Sequence, residues 1–193
     1  MHVEGIGPRV RVGSCARAAA AALILSASLA VAAPAHSAKP AVKPAAYVTP
    51  LLKADRILVL KSARKLELLR GGVVLKIYPI ALGGNPVGAK AEAGDGKTPE
   101  GVYYIDGRQP HSLYHLALHI SYPNAADAAR AASTKRNPGG DIEIHGLPNW
   151  YAGPLDPARF DKDWTHGCVS VGDKAIEEIW AAADIGTLVE IRP

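Results

Sequence analysis

Two short segments carry the residue types from which covalent chemistry could be built: Asp141-Ile142-Glu143-Ile144-His145-Gly146 and, beginning twenty residues after His145, Thr165-His166-Gly167-Cys168. A free thiol is only a few per cent thiolate at neutral pH, so a nucleophilic cysteine needs a histidine or a dipole beside it. In the first segment alternation sets Ile142 and Ile144 on one face and Glu143 and His145 on the other, so His145 ends a strand facing away from the isoleucine side. In the second, Gly167 lets the backbone approach closely just before the thiol. Together they supply a nucleophile and a base, and spacing alone does not decide which histidine is the base. Two plainer readings stand beside this one: a buried cysteine among structural histidines, and a zinc site made of His145, His166 and Cys168. A cysteine and a histidine separated by one glycine is not a usual zinc spacing, and the chain has no Cys-x-x-Cys pair. No metal and no cofactor are expected.

The rest of the chain bears on the choice. Of the two cysteines, Cys15 lies among Arg9, Arg11 and Arg17, ahead of an alanine- and leucine-rich run from Ala18 to Ala33. That layout reads as a signal peptide over residues 1–38, cleaved between Ala32 and Ala38 and too short in its apolar part to be a typical membrane span. An uncleaved N-terminal anchor is the alternative, and the sole membrane attachment expected. Cys168 is then the only cysteine of the mature protein, and an exported protein rarely keeps one unpaired thiol without a use for it. The expected location is the periplasm or cell wall. The chain of 193 residues is formally +4, and removing the leader leaves about +2, which gives no footprint for nucleic acid.

Positioning the two segments requires a domain. Residues 39–52, with Pro40, Pro44 and Pro50 among Ala, Lys and Val, read as a tether, and residues 53–193 as one domain. Strands are expected over Arg56 to Lys61, Lys65 to Arg70 and Val73 to Leu82, the last two joined by a tight Gly71-Gly72 turn. Further strands are expected over Gly101 to Asp106, Leu113 to Ser121, Asp141 to His145, Cys168 to Val171 and Leu188 to Arg192. Helices are expected over Asn124 to Ala132 and over Asp173 to Ala183, the second opening on an acidic cap with Ile176, Ile179 and Trp180 at helical spacing. The fold class is mainly β with short accessory helices.

The motif His145-Gly146 followed by Thr165-His166-Gly167-Cys168 resembles the signature of the L,D-transpeptidase, or YkuD, family, and the similarity covers roughly Asp55 to Ile191. The run from Ala81 to Gly88, then Gly94 to Gly101, then Leu118-His119-Ile120-Ser121-Tyr122-Pro123 is similar to the YafK-like branch. The resemblance implies a β-sandwich or barrel-like catalytic domain that acts on peptidoglycan stem peptides. Cys168 would be the nucleophile and His145 the base, with the backbone carbonyl of Gly146 orienting the imidazole. His166 would support the cysteine loop and the oxyanion site, with the N–H groups of Gly167 and Cys168 binding the developing charge. The implied reaction is attack on a tetrapeptide stem, loss of D-alanine, a thioester, and capture by an amine. Capture by water instead gives an L,D-carboxypeptidase or amidase, with a wall-anchored protein as a further acceptor or substrate.

Substrate contacts are expected from Thr165, Ser170, His119, Tyr122, Trp150 and Trp164; structural roles for His119 and Tyr122 stand equally open. The interval between the two motifs contains Pro148, Trp150, Tyr151, Pro154, Phe160 and Trp164, which suggests an aromatic flap over the cysteine or, as plainly, rings packing the loop on the domain. His111, His115 and His119 would stack as metal ligands on a helix, but Leu113 to Ser121 alternates as a strand. Gly83, Gly84 and Gly88 read as turn glycines, since no Gly-Lys-Ser/Thr follows them.

Overall fold

The computed structural model of the chain describes residues 52–151 and 162–193. The expected leader and nearly all of the expected tether lie outside the described residues, as do Pro154 and Phe160 of the expected flap. Strands β1 (Arg56–Leu60), β2 (Lys65–Arg70) and β3 (Val73–Pro79) form the antiparallel meander expected from the sequence. Its turn needs glycine, because Gly71 and Gly72 take φ of 56° and 81°. There follow β4 (Gly101–Ser112), β5 (His115–Ile120), α1 (Ala125–Ser133), β6 (Glu143–His145), β7 (Val169–Ser170), α2 (Asp173–Ala182) and β8 (Leu188–Arg192). The eight strands form one sheet in the order β3-β2-β1-β8-β4-β5-β6-β7, so the fold is mainly β with two short helices. No described helix is long and apolar enough to cross a membrane.

The core is built by alternation: Ile57 and Val59, Leu66 and Leu68, Tyr103 and Ile105, Leu118 and Ile120 point one way along their strands and are fully buried. Ile176 and Ile179 of α2 join the same core. Helix α1 is fixed at its start by a capping box: the Asn124 side chain accepts the Asp127 N–H at 2.9 Å and the Asp127 carboxylate accepts the Asn124 N–H. Asp127 is buried and also accepts the Tyr103 hydroxyl at 3.0 Å and the Arg130 guanidinium at 2.6 Å.

Most element ends differ from the expected ones by one or two residues, and three features bear on the site. β4 runs on to Ser112, because register shifts after Ile105 and after Gln109 accommodate Asp106 and the Pro110-His111 pair, and Gly107 pairs directly with His119 of β5. β3 ends at Pro79, and the residues after it cross to the far end of the sheet. There Ala81 and Ser170 exchange backbone hydrogen bonds of 2.9 and 2.8 Å, and Thr165 bridges Gly83. This brings the two sheet ends together beside Cys168. Finally, the cap of α2 is Gly172, which offers no side chain, while Asp173 accepts the Leu147 N–H at 2.8 Å and so ties the helix to the loop after His145.

Candidate active site

The two halves of the motif arrive on adjacent strands. β6 and β7 are parallel, with Ile144 opposite Val169 and His145 opposite Ser170. Buried Ile144 and Val169 face the core, which turns His145 and Cys168 to the other side, into one pocket with Tyr114, Trp164, Thr165 and His166. The expected nucleophile and base are therefore brought together, and His166 joins them at the rim as an exposed residue.

His145 is held by the backbone of the residue that follows it. Its Nδ1 lies 2.7 Å from the Gly146 carbonyl. A carbonyl can only accept, so Nδ1 carries the proton and Nε2 is left as the acceptor. The same carbonyl receives the Ser170 hydroxyl at 3.3 Å, so Ser170, fully buried, braces the base and is not placed to touch substrate. Position 146 must be glycine: a Cβ there would meet Asp173 Oδ1 at 2.7 Å and the Tyr114 carbonyl at 2.9 Å. Its N–H donates to the Tyr114 and Leu116 carbonyls. The imidazole is held between rings, with Tyr114 at 4.4 Å between centroids and Trp164 edge-on at 5.8 Å.

Thr165 ties the cysteine loop together. Thr165 Oγ1 donates to the Cys168 carbonyl at 2.8 Å and accepts the Gly167 N–H at 3.1 Å. The Gly167 N–H, which the resemblance implied for the oxyanion together with that of Cys168, is thus engaged by Thr165. Gly167 (φ 137°) is required by close packing, since a Cβ would lie 2.7 Å from the Lys97 carbonyl. Gly83, expected as a turn glycine, is a close-approach glycine for the same reason: a Cβ there would lie 2.1 Å from the Gly96 carbonyl oxygen. Behind the loop, Thr98 accepts the Gly83 N–H, and the buried Lys61 ammonium binds the Thr98 and Gly88 carbonyls and the Glu100 carboxylate. Asp163 anchors the near end by accepting Arg64 and the Leu82 N–H.

The thiol points at the Asp141 carbonyl, 3.5 Å away, from a residue whose φ of 53° is left-handed. Burial pushes the Cys168 pKa up to about 11; the Glu143 and Asp141 carboxylates add to this, while the Glu143 N–H and Lys90 oppose it. Burial also holds His145 below the usual histidine range, against the pull of its bond to Gly146. The resting pair is a neutral thiol beside a neutral imidazole.

The other expected contacts divide. Trp164 lines the pocket, and its buried indole Nε1 has no hydrogen-bond partner among the described residues. Trp150 is 79% exposed and outside the pocket. Tyr122 is a core residue, 4% exposed, donating to the Pro138 carbonyl and packed edge-on against Tyr103. His119 is on the site face but is the register partner of Glu143 and bonded to Asp106. His115 bonds Glu177, and the histidine triplet is divided between two strands, His111 on β4 and His115 and His119 on β5. Tyr114 and Asp141 were missed; a tyrosine in a turn and a backbone carbonyl carry no spacing signal.

Residues 54–191 match the family model described as the L,D-transpeptidase catalytic domain, YkuD. Over 75 residues the chain is 36% identical to the putative L,D-transpeptidase YafK of Escherichia coli (strain K12), covering 38% of this chain and 28% of that protein. Among solved structures, the helical cell shape determining protein Pgp2 from Campylobacter jejuni matches with a TM-score of 0.55 and 25% identity over 71% of this chain and 46% of that one. Bd1075 of Bdellovibrio bacteriovorus matches with a TM-score of 0.50 and 28% identity, over 74% and 51%. The chain thus spans under a third of the curated relative and about half of each solved chain.

Proposed function

The chain belongs to the YkuD family of L,D-transpeptidase catalytic domains, and from that premise we propose that it is a cysteine acyltransferase of peptidoglycan. The reading is supported above all by one observation: Cys168 shares a pocket with a histidine whose Nδ1 proton is fixed on the Gly146 carbonyl. With both groups neutral at rest, His145 Nε2 takes the thiol proton as sulfur attacks the carbonyl of a tetrapeptide stem. The Cys168 N–H bears on the oxyanion. Collapse expels D-alanine, which takes the proton from His145, and leaves a thioester. An amine of a second stem then displaces sulfur, forming the cross-link. The site of action would be the periplasm or cell wall, where such stems lie.

Water in place of the amine makes the same site an L,D-carboxypeptidase or amidase, and a wall-anchored protein would enter as acceptor or substrate by the same chemistry. The test is incubation of the protein and its Cys168→Ala variant with disaccharide tetrapeptides, followed by mass spectrometry. Cysteine-dependent dimers lacking one D-alanine are expected. Shortened monomers alone would assign hydrolysis, and identical products from both proteins would remove Cys168 from the reaction.

A further inference from the structure

A row of residues leads away from the nucleophile across the sheet. Alternation back from the His145–Ser170 pair places Glu143 and Cys168 on the same face as His145. One step back in register from the His145–Ser170 pair sets Glu143 beside Cys168, where its backbone N–H favours the charged sulfur and its carboxylate opposes it. Next in register on β5 is His119, the partner of Glu143, and next on β4 is Gly107, the partner of His119. A Cβ at Gly107 would lie 3.1 Å from the His119 Cβ, so glycine keeps that end of the row low. Glu143 is half-buried in this row, accepts Gln109 Nε2 at 2.6 Å, and neighbours a His119 imidazole that is itself bonded to Asp106.

A carboxylate at this place hinders the first half of the reaction, because negative charge beside sulfur opposes thiolate formation. Its presence is accounted for if it serves the second half, in which the attacking group is an amine that reaches the site as a cation at neutral pH. We propose that Glu143 is the acceptor-binding residue: its carboxylate receives the ammonium group of the incoming stem and holds it beside the thioester. Glu143 takes one proton from the ammonium, and the freed amine attacks the thioester carbon. The new C–N bond forms as a second N–H proton passes to His145. The C–S bond breaks, Cys168 leaves as thiolate, and it recovers that proton from His145, while the proton on Glu143 goes to solvent. Burial, which holds the Glu143 pKa above the ordinary carboxyl range, makes it a stronger proton acceptor than a surface carboxylate.

This inference rests on the acyl-transfer reading above, and one experiment separates the two. Full-length wild type, Glu143→Gln and Glu143→Asp are given a tetrapeptide donor with rising concentrations of an amine acceptor, and cross-linked and hydrolysed products are measured together with the acyl-enzyme on Cys168. The expected result is an acyl-enzyme in all three, with the ratio of cross-link to hydrolysis lowered about tenfold in Glu143→Gln and largely restored in Glu143→Asp. An acceptor bearing a hydroxyl in place of the amine should not distinguish the proteins. A ratio in Glu143→Gln within about twofold of wild type, below the effect of one charge-assisted bond, overturns the assignment, as does a wild type that only hydrolyses. Absence of any acyl-enzyme in wild type strikes instead at the acyl-transfer reading itself. Should Glu143→Gln not fold, Gln109→Ala removes the hydrogen bond that aims the carboxylate, and an unchanged ratio there counts equally against the proposal.

Discussion

At the scale of single residues, the site joins a weakly acidic thiol to a weakly basic imidazole, and its pH behaviour follows. His145 must be neutral to accept a proton, and its pKa is depressed by burial, so the acid limb of kcat/KM should fall below pH 6.5 rather than at it. Cys168, at about 11, should react slowly with iodoacetamide at neutral pH, with the rate still rising above pH 9. Stopped measurements of alkylation against pH check this, and a plateau reached by pH 8 would contradict it. His145→Gln should lower kcat by roughly 10²–10⁴ while leaving stem binding nearly intact, the range of a lost general base. Both residues of the proposed reacting pair were legible in the sequence, because a lone thiol after a glycine and a histidine at a strand end are local patterns. The roles of Thr165 and Ser170 were not: each acts through a hydrogen bond to a backbone group, and residue type does not reveal which one.

At the scale of elements, the cysteine loop is held by hydroxyl and carboxylate bonds to the backbone, and these should be measurable as stability. Thr165→Val leaves the buried Gly167 N–H without a partner and should cost about 1–3 kcal/mol in urea unfolding. Asp127→Ala removes the acceptor of the Asn124 N–H at the start of α1 and one of the two acceptors of the buried Tyr103 hydroxyl, the other being the Glu100 carbonyl, with an expected loss of about 2 kcal/mol by the same measurement. Strand existence was readable wherever apolar residues alternate, as in Lys65–Arg70 and Leu188–Arg192, whose bounds agree with the sequence reading. The continuation of β4 through Gly107 and Pro110 was not, since bulges tolerate residues that ordinarily mark turns. Nor was the meeting of residues 81–83 with 165–170, which consists of isolated bridges between segments far apart in sequence.

At the scale of the whole molecule, charge and burial set a window of stability. Burial alone would raise the Asp95 pKa, but the Lys90 bond and the N–H groups of Ala91, Lys97 and Glu92 outweigh it and hold Asp95 at about 2. Between about 2 and its ordinary value of 3.8 the unfolded chain binds more protons, so this contribution is full above pH 4 and lost as pH falls to 2. His145 acts with the same sign below 6.5. Cys168 and Tyr122, raised to about 11 and about 12, act oppositely, since the folded state then binds more protons above pH 9. Thermal unfolding should therefore show a plateau from about pH 7 to 9 that declines on both sides, and Asp95→Asn should flatten the acid decline.

The central claim is that Cys168 carries the acyl group. It is tested most directly by intact-protein and peptide mass spectrometry after brief exposure to a tetrapeptide stem. The account predicts a hydroxylamine-sensitive adduct on the Cys168 peptide, equal in mass to the bound stem without its terminal D-alanine. Turnover with no such adduct in a quenched time course, and with the Cys168→Ala variant equally active, would contradict it.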